Sequence, residues 1–336
     1  MAREKKEIEP LSHQVSQRKI HNIQLMRNFS YSKEIIEKVT RMNHLKIFVL
    51  VLLLLTPLSA QQKNEEVTLL IRCDDSGMSN STNLALEKMT GSGIPFSTSV
   101  MFVCPWYQQA VEILKANPQV SVGIHLTLNA EWKNYRWGPV LGKEVSSLTD
   151  EAGYFFPSRK TFHEHNPKLD EVEKELRAQV ARAMNSGLKI DYIDYHMGTA
   201  MDKPEYRDIV ETLAKENHLG ISRYFGEFYT DNMYPAPIES KKDSLINILQ
   251  NKLEKGKVNL MVCHCGVDND ELRAMIDMNP FGPPKMSLHR QAELSALLSP
   301  EFLAEVKKNK IKLITYRELI ESIGKENMKR PAEFEY

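Results

Sequence analysis

Short apolar or β-branched segments alternate with longer helical patterns along the chain from residue 67 onward. Clear strand patterns lie at 67–73, 96–103, 120–126, 190–195, 258–263 and 311–315, with a weaker one at 219–224. Helical patterns lie at 81–90, 105–117, 169–186, 204–217, 241–255 and 288–308. Strands that alternate with helices favour a parallel sheet. About seven such units predict an α/β barrel, complete or partial, with a doubly wound open sheet as the alternative.

The charge balance excludes some classes of partner. The 336 residues include 44 Lys and Arg and 44 Asp and Glu, so the formal net charge is zero. Because there is no excess of positive charge, we expect neither nucleic acid nor an acidic membrane surface as a general partner. The length suits one large domain or two small ones. A homodimer is compatible with the sequence, which does not decide the oligomeric state.

The first 60 residues differ from the alternating region. Residues 1–41 are polar and mixed in charge. Residues 42–60 contain the basic Lys46, a short apolar core and then small residues at the end of the segment. This is the order of a secretory signal peptide, and the core is shorter than the ~20 residues that span a membrane. We therefore expect translation to start at Met42, residues 1–41 to be non-native or disordered, and a single domain at 61–336 to be periplasmic or secreted. The alternative is an uncleaved membrane anchor at 47–58.

Four cysteines lie in or next to predicted strands: Cys73, Cys104, Cys263 and Cys265. An oxidising compartment would permit disulfides, but the apolar context favours buried free thiols. Cys263 and Cys265 lack a second cysteine pair at the spacing of a structural zinc site.

Acidic and histidine side chains recur where predicted strands end, which is where active residues collect in parallel α/β folds. These side chains are Asp74, Asp75, His125, Asp194, His196 and His264. Each has an ordinary explanation when taken alone. A histidine in a strand is usually a hydrogen-bonded core residue, and Asp75 or Ser76 can cap the next helix. Their recurrence at corresponding strand ends favours one shared site.

Two adjacent carboxylates repel each other unless positive charge compensates them. Histidine and carboxylate bind zinc and related metals, and three protein ligands plus a water molecule form the catalytic arrangement. We therefore predict Asp75, His125 and His196 as ligands of one divalent ion. Asp74 is then left to take a proton from the metal-activated water. His264 is left to protonate a leaving group or to hold a developing oxyanion.

Several motifs together resemble the YdjC-like carbohydrate deacetylases, the chitooligosaccharide deacetylase family. CDDSG at 73–77 resembles the family's N-A-D-D-F-G, GIHLTL at 123–128 its G-[IV]-H-L-[NT]-L, DYHMG at 194–198 its D-S-H segment and CHCG at 263–266 its C-H-P-G. LTDEAGYF at 148–155 and the stretch from Arg290 through Glu293 to IKLITYREL also fit. The resemblance covers roughly residues 67–322.

The resemblance implies a distorted (β/α) barrel and hydrolysis of an N-acetyl group on an amino sugar or oligosaccharide. It also implies one divalent ion, zinc or magnesium. Carried over residue by residue, it makes Asp74 the base and His264 the acid, with Asp75, His125 and His196 as ligands.

The chain departs from the family motifs beside the predicted metal site. Cys73 replaces the usual alanine, and Ser76 replaces the aromatic residue after the aspartate pair. Tyr195 replaces the serine of D-S-H, and Cys265 replaces the proline of C-H-P-G. No proposed ligand is lost, but the identity of the sugar and of the acyl group stays open.

Other residues are candidates for supporting roles. Trp132, Tyr135 and Trp137 lie close together in the irregular 129–168 segment, and aromatic faces stack on sugar rings; a hydrophobic cluster that holds the loop is the alternative. Arg273 is a candidate substrate contact. Asp194 is predicted to orient a ligand histidine, with a structural carboxylate as the alternative.

Two rival functions remain at the level of sequence. A metal-dependent phosphoesterase, or another amide hydrolase on a similar barrel, can use the same ligands. A sugar-binding protein without catalysis is the rival from a different class. The absence of ligands for a second metal argues against a two-metal phosphatase, and the presence of Asp74 argues against a pure binder, which needs no base.

Overall fold

The computed structural model describes residues 66–332 and, nearer the N-terminus, residues 32–34, 37–38 and 40. The chain divides into two units, Met1–Lys63 and Asn64–Tyr336. The described residues of the first unit are helical and exposed. The predicted signal peptide at 42–60, like the alternative anchor at 47–58, lies outside the described residues and stays a prediction. Within the described residues, no helix has both the length and the apolar character required to cross a membrane.

The second unit contains a sheet of eight strands, and every strand pair is parallel. The strands are β1 (Thr68–Ser76), β2 (Ser97–Val100), β3 (Ser121–Leu126), β4 (Ile190–Tyr195), β5 (Gly220–Ile221), β6 (Phe228–Tyr229), β7 (Val258–Cys263) and β8 (Lys312–Ile314). Their order is β5-β4-β3-β2-β1-β7-β6, and β8 also pairs with β1. Seven strands thus curl into a half-barrel, in which the end strands β5 and β6 do not pair with each other within 66–332. The predicted distorted barrel of about seven parallel strands is confirmed in its partial form.

Helices connect the strands throughout this unit. They are α1 (Asn80–Thr90), α2 (Tyr107–Lys115), α3 (Arg159–Glu164), α4 (Leu169–Met184), α5 (Pro204–Glu216), α6 (Lys241–Asn251), α7 (Asp270–Arg273), α8 (Met286–Leu297), α9 (Pro300–Lys308) and α10 (Tyr316–Ile323). Side-chain caps determine where several of them begin. Ser79 forms a capping box with Thr82 at α1, and Thr315 forms one with Glu318 at α10.

The prediction of a single helix at 288–308 is wrong. The segment contains α8 and α9, and the break lies at Ser299, whose side chain accepts the N–H of Phe302. Pro300 follows as the first residue of α9, a position that proline tolerates because its missing N–H is not needed there. The sequence pattern also does not predict α3, α7 or β6, which have six, four and two residues and are too short to show a period.

The central strands are buried on both faces. Every residue of β3 and β4 is buried, and β1 is buried from Leu69 to Ser76. Strands in this environment have near-continuous apolar sequences, which explains why the pattern predicts them well. The polar residues that end these strands are therefore buried too, and each needs a specific partner.

Gly77 turns the chain where β1 leaves the sheet. Its φ is +81°, and a Cβ atom placed there would lie 2.8 Å from the Cα of Tyr107, at the start of α2. The backbone of α2 therefore packs directly against this turn. Glycine provides both the left-handed backbone and the necessary space.

Replacing Gly77 by alanine should destabilise the fold more than the same replacement at Gly93. Both residues have a left-handed backbone, which costs alanine about 1–2 kcal/mol, but a Cβ at Gly93 meets no atom within 4 Å. The contact with α2 should lower the free energy of unfolding of Gly77→Ala by about a further 1–3 kcal/mol. Urea unfolding of both variants measures this difference. Equal losses of unfolding free energy in the two variants would show that α2 shifts to accommodate the new Cβ without cost.

Candidate active site

One cleft at the carboxyl ends of the strands is lined by all five residues that the sequence predicts as metal ligands, base or acid. These residues are Asp74, Asp75, His125, His196 and His264. They come from the ends of β1, β3, β4 and β7. The cleft has a volume of about 1420 Å³. The parallel sheet thus brings together side chains that are up to 190 residues apart in the sequence.

Asp74 and Asp75 both line the cleft although they are neighbours in one strand. Successive side chains of a regular strand point to opposite faces of the sheet. Here the register between β1 and β2 shifts between Cys73 and Ser76. Asp75 also has a left-handed backbone, with φ of +64°, which aspartate tolerates better than most residues. This irregularity lets both carboxylates reach the same cleft.

Three potential metal-binding atoms converge on one point. Asp75 Oδ1 lies 3.3 Å from His125 Nε2 and 3.4 Å from His196 Nδ1, and the three residues offer atoms within 4.8 Å of one another. Asp75 Oδ1 is buried and accepts no hydrogen bond from the described residues, whereas Asp75 Oδ2 accepts one from Arg290 Nη2 at 2.7 Å. A buried carboxylate oxygen without a partner, facing two imidazole nitrogens, fits a metal ion. This group can therefore hold one.

A carboxylate holds the second nitrogen of each histidine. His125 Nδ1 lies 3.0 Å from Asp194 Oδ1, and His196 Nε2 lies 2.9 Å from Glu131 Oε2. Such carboxylates fix the orientation and tautomer of histidines that bind metals. Asp194, which the sequence predicts to orient a ligand histidine, contacts His125 on the neighbouring strand rather than His196.

A second cluster, formed by Asp74, His125 and Asp194, is equally compact but fits a metal less well. Arg72 donates to both oxygens of Asp74, each at 2.7 Å, and its Nε lies 3.0 Å from Asp194 Oδ2. Ser99 also donates to Asp194 Oδ2 at 2.7 Å. Because the Arg72 guanidinium already compensates these carboxylates, we assign the candidate metal site to the first group.

The electrostatics of the site favour positive charge at the candidate metal position. Burial alone would lower the pKa of a histidine, but the charges of Asp194 and Asp74 outweigh it and raise the pKa of His125 to about 10. Against the same effect of burial, Glu131 and Asp75 raise the pKa of His196 to about 9. The metal-free site therefore binds protons strongly at the nitrogens that a metal would need.

The pKa of Asp75 is shifted in the opposite direction to those of the two histidines. Burial would raise the pKa of its carboxyl group, but the charge of Arg290 and the neighbouring imidazoles of His125 and His196 hold that pKa well below its usual range. Asp75 is therefore an anion at neutral pH, as a metal ligand must be.

His264 has different surroundings. Its backbone N–H donates to Glu293 Oε2 at 2.8 Å, while its side-chain Nδ1 has no hydrogen-bond partner in residues 66–332 or the other described positions. The Tyr234 ring packs edge-on against the imidazole, with 5.5 Å between the ring centroids. Burial lowers the pKa of His264 to about 4; Asp75 opposes this shift and Arg290 adds to it. The imidazole is therefore neutral at pH 7.

A match to a protein family tests the relationship that the motifs suggest. The family described as YdjC-like protein matches residues 68–308, which is well over half of the chain. The chain belongs to the YdjC-like family. The resemblance inferred from the motifs is thus confirmed.

Curated relatives of this YdjC-like chain include two proteins named carbohydrate deacetylase. The one from Brevibacillus brevis is 27% identical over 267 residues, covering 75% of this chain and 99% of the relative. The one from Geobacillus stearothermophilus is 27% identical over 263 residues, covering 74% and 96%. A crystal structure named for a cellobiose-phosphate cleavage protein of Enterococcus faecalis has a TM-score of 0.61 at 22% identity and covers 76% of this chain and 99% of that one. It shows a shared fold.

The cysteines that depart from the YdjC-like motifs pack against each other. All four cysteines are buried and free, as the sequence predicts. The thiols of Cys73 and Cys265 lie close enough to affect each other's pKa, and Cys73 faces Cys263 in the register of β1 and β7. Burial raises the pKa of the Cys263 thiol well above its usual range. These thiols therefore fill space beneath the cleft in their protonated form.

The aromatic residues predicted to stack on sugar have different environments. Trp132 lines the cleft, but it is only 1% exposed and Arg290 lies over its ring at 5.7 Å. Tyr135 and Trp137 are not among the lining residues, and each donates its polar hydrogen to a backbone carbonyl. Their contacts are those of a cluster that holds the 129–168 segment in place. We therefore do not assign Tyr135 or Trp137 a contact with substrate.

Arg273 lies away from the cleft. It pairs with Asp268 and Asp270, and 57% of its side chain is exposed. Both partners lie on or beside the short helix α7, so the Arg273 side chain stabilises its own helix. We assign it no contact with substrate.

The cleft also contains residues to which the sequence analysis gives no role. Arg72, Glu131, Tyr234 and Arg290 line it together with the predicted residues. A signal existed for Arg72, because it is the only charged residue between Thr68 and Cys73. Glu131 lies in a loop and Arg290 in the middle of α8, so no strand end marks either one.

Uptake of a divalent metal by the metal-free protein should release close to two protons per ion at pH 7.5. His125 and His196 have raised pKa values, about 10 and 9, so both are protonated at this pH and must lose a proton to bind a metal. Calorimetric titration in buffers of different ionisation enthalpy measures the number released. His163→Ala is the matched control, because His163 is paired with Asp202 and does not line the cleft. Zinc or magnesium uptake without proton release would contradict the assignment of these ligands.

Proposed function

We propose that this chain is a metal-dependent carbohydrate deacetylase, which hydrolyses an N-acetyl group on an amino sugar or oligosaccharide. The observation that carries the proposal is the convergence of Asp75, His125 and His196 in a cleft that also contains Asp74 and His264. The relatives named carbohydrate deacetylase, which match almost end to end, support the same reaction. The volume of about 1420 Å³ suits more than one sugar ring, since pockets for small ligands are usually about 300–1,000 Å³.

Asp75, His125 and His196 would hold the ion, and this mixed set of one carboxylate and two imidazoles suits zinc and also admits magnesium. A divalent ion bound here would polarise the acyl carbonyl group and make a water molecule more acidic. The carboxylates Asp194 and Glu131 then keep the two imidazoles in place from behind.

In this proposal, Asp74 accepts the proton of the attacking water. Arg72 donates to both of its oxygens, but each carboxylate oxygen has two lone pairs, so acceptor capacity remains for a water molecule in the cleft. Because the guanidinium fixes the carboxylate, the base does not need to reorient when substrate arrives.

His264 enters the reaction as a neutral imidazole, because its pKa is about 4. It therefore does not start as a charged acid at neutral pH. We propose that the proton taken from water by Asp74 is then passed to His264, which gives it to the amine nitrogen as the carbon–nitrogen bond breaks. The products are acetate, which contains the oxygen of the water, and a sugar with a free amino group.

Asp74→Asn should abolish most acetate release while metal content is retained. Loss of a general base typically costs 10²–10⁴-fold in rate, and the candidate metal ligands are untouched. The measurement is acetate release from N-acetylated chitooligosaccharides, combined with metal analysis of the same protein. Asp191→Asn is the matched control, because Asp191 is also a buried aspartate paired with an arginine, Arg317, but does not line the cleft.

Other outcomes of these assays would overturn the proposal. Phosphate release from sugar phosphates without acetate release would indicate a phosphoesterase. Tight glycan binding by a metal-free wild type, without turnover, would indicate a sugar-binding protein in which the histidines are structural.

Phe281 is the exposed aromatic residue best placed to contact a sugar. It lines the cleft and is 68% exposed. Its loop is held by a bridge between Trp132 and Asp277 and by the hydrogen bond from Met278 N to Glu131 O at 2.8 Å. A fixed loop with an exposed ring provides a stacking surface at little entropic cost.

Phe281→Ala should raise the KM for an N-acetylated oligosaccharide by about 2–12-fold, because an aromatic contact is worth about 0.5–1.5 kcal/mol. The kcat should change little, since Phe281 is not among the catalytic groups. Steady-state kinetics on a monosaccharide and on an oligosaccharide test this, with Phe281→Tyr as the variant that keeps the ring. An unchanged KM for both substrates would show that Phe281 does not contact the sugar.

A further inference from the structure

Within the part of the chain that the structure describes, three buried hydrogen-bond donors of side chains that line the cleft have no acceptor. They are Arg290 Nε, Arg290 Nη1 and Trp132 Nε1. Both side chains are buried, with 4% and 1% exposure, and both line the cleft. Leaving a charged donor buried without an acceptor is unfavourable, so these donors need an explanation beyond packing. Glu131 lies near enough to raise the pKa of Arg290, but it accepts a hydrogen bond from neither Nε nor Nη1.

The two donor residues form one unit. The Arg290 guanidinium carbon lies 5.7 Å from the centre of the Trp132 ring, a distance at which the aromatic face stabilises the cation. Backbone bridging to Asp277 anchors Trp132, and a hydrogen bond to Asp75 anchors Arg290. The unpaired nitrogens are therefore held in position before any ligand arrives.

The position of Arg290 relates this unit to the candidate metal site. Arg290 Nη2 binds Asp75 Oδ2, and the other oxygen of the same carboxylate faces His125 and His196. One carboxylate group thus separates the guanidinium from the point where the histidine nitrogens converge. His264 lies on the same cleft and is close enough for Arg290 to affect its pKa.

The chemistry of the donors selects their ligand. Guanidinium and indole N–H groups only donate, so they select an oxygen that accepts, and the charge of the guanidinium favours an anionic oxygen. Amide hydrolysis produces such an oxygen twice, first in the tetrahedral intermediate and then in the carboxylate product. Donors already in place for a developing oxyanion stabilise the transition state more than the substrate.

We propose that Arg290 and Trp132 bind the oxygen of the acyl group that is cleaved, as an oxyanion during the reaction and as the carboxylate of acetate afterwards. This inference rests on the proposed deacetylase function. Arg290 is then a catalytic residue, and its bond to Asp75 serves to place its free nitrogens beside the reacting carbon.

Arg290→Lys is the first test, because lysine keeps a positive charge near Asp75 but loses the fork of donors. We expect kcat for acetate release to fall by about 10²–10³-fold, while KM, metal content and the number of protons released on metal binding stay as in the wild type. Arg317→Lys is the matched control, since Arg317 pairs with Asp191 outside the cleft. An unchanged kcat in Arg290→Lys would overturn the inference.

Trp132→Phe is the second test, because it removes one donor, keeps a ring beneath the guanidinium and does not touch Asp75. We expect kcat to fall by about tenfold or more, with metal content unchanged. This variant decides the result if Arg290→Lys loses its metal. A lower kcat in Trp132→Phe then supports the oxyanion site, whereas a wild-type kcat would show that Arg290 only positions Asp75.

Acetate itself provides a readout that does not need turnover. Calorimetric titration of sodium acetate, at constant ionic strength set with sodium chloride, should show binding to the wild type that weakens about tenfold or more in both variants. If neither the wild type nor any variant releases acetate from a glycan, the deacetylase function fails. Acetate binding that depends on Arg290 would in that case still support an acyl-oxygen site. If the wild type is a deacetylase and acetate binds equally to all variants, the inference fails and the function stands.

Discussion

The arrangement of the cleft depends on one buried guanidinium. Arg72 lies in the middle of β1 and is 5% exposed. It donates to both oxygens of Asp74, lies 3.0 Å from Asp194 on β4, and donates to Ser222 just beyond β5. Buried carboxylates are strongly destabilising when they lack a partner. This one cation compensates the charge of both Asp74 and Asp194 between the same strands.

The effect of Arg72 extends to the candidate metal ligands through Asp194. With one oxygen near Arg72 and held by Ser99, Asp194 presents the other to His125 Nδ1. This leaves His125 Nε2 as the nitrogen that faces Asp75. The ring of Tyr192 lies below, so close to Gly123 that a Cβ there would be 2.4 Å away, and its hydroxyl is hydrogen-bonded to Ser99. Side chains on three other strands, β1, β2 and β4, thus determine the orientation of one imidazole on β3.

The parts of this structure that could be read from the sequence are those governed by local patterns. Apolar runs reveal buried parallel strands, and the rule that active residues follow such strands brings His125, His196 and the aspartate pair together. The single helix expected at 288–308 failed because the apolar period continues across a break that depends on Ser299 and Pro300. Of the two roles considered for Trp137, its contacts favour the cluster that holds the loop, because its indole N–H donates to a backbone carbonyl, and no sequence period reveals that contact.

Contacts between distant segments were not predictable in the same way. Glu131 holds His196 across 65 residues, and Arg290 reaches Asp75 across 215. Their positions depend on how a loop and a helix pack over the end of the sheet, and composition or spacing does not encode that packing. The left-handed backbone of Asp75 is equally hidden, because any aspartate that follows a strand reads the same in sequence.

The surroundings of His264 differ from those of the other two cleft histidines, and the difference has a physical basis. Carboxylates contact His125 and His196 directly, so their imidazoles attract protons. Among the described residues, no carboxylate is paired with the His264 ring; the nearby Glu293 accepts its backbone N–H instead and forms a buried ion pair with Lys241. Lys241 also donates to the carbonyls of Met233 and Tyr234, and the Tyr234 ring packs on His264. One buried lysine thus fixes both the backbone and the packing partner of His264, so the fold positions this imidazole without charging it.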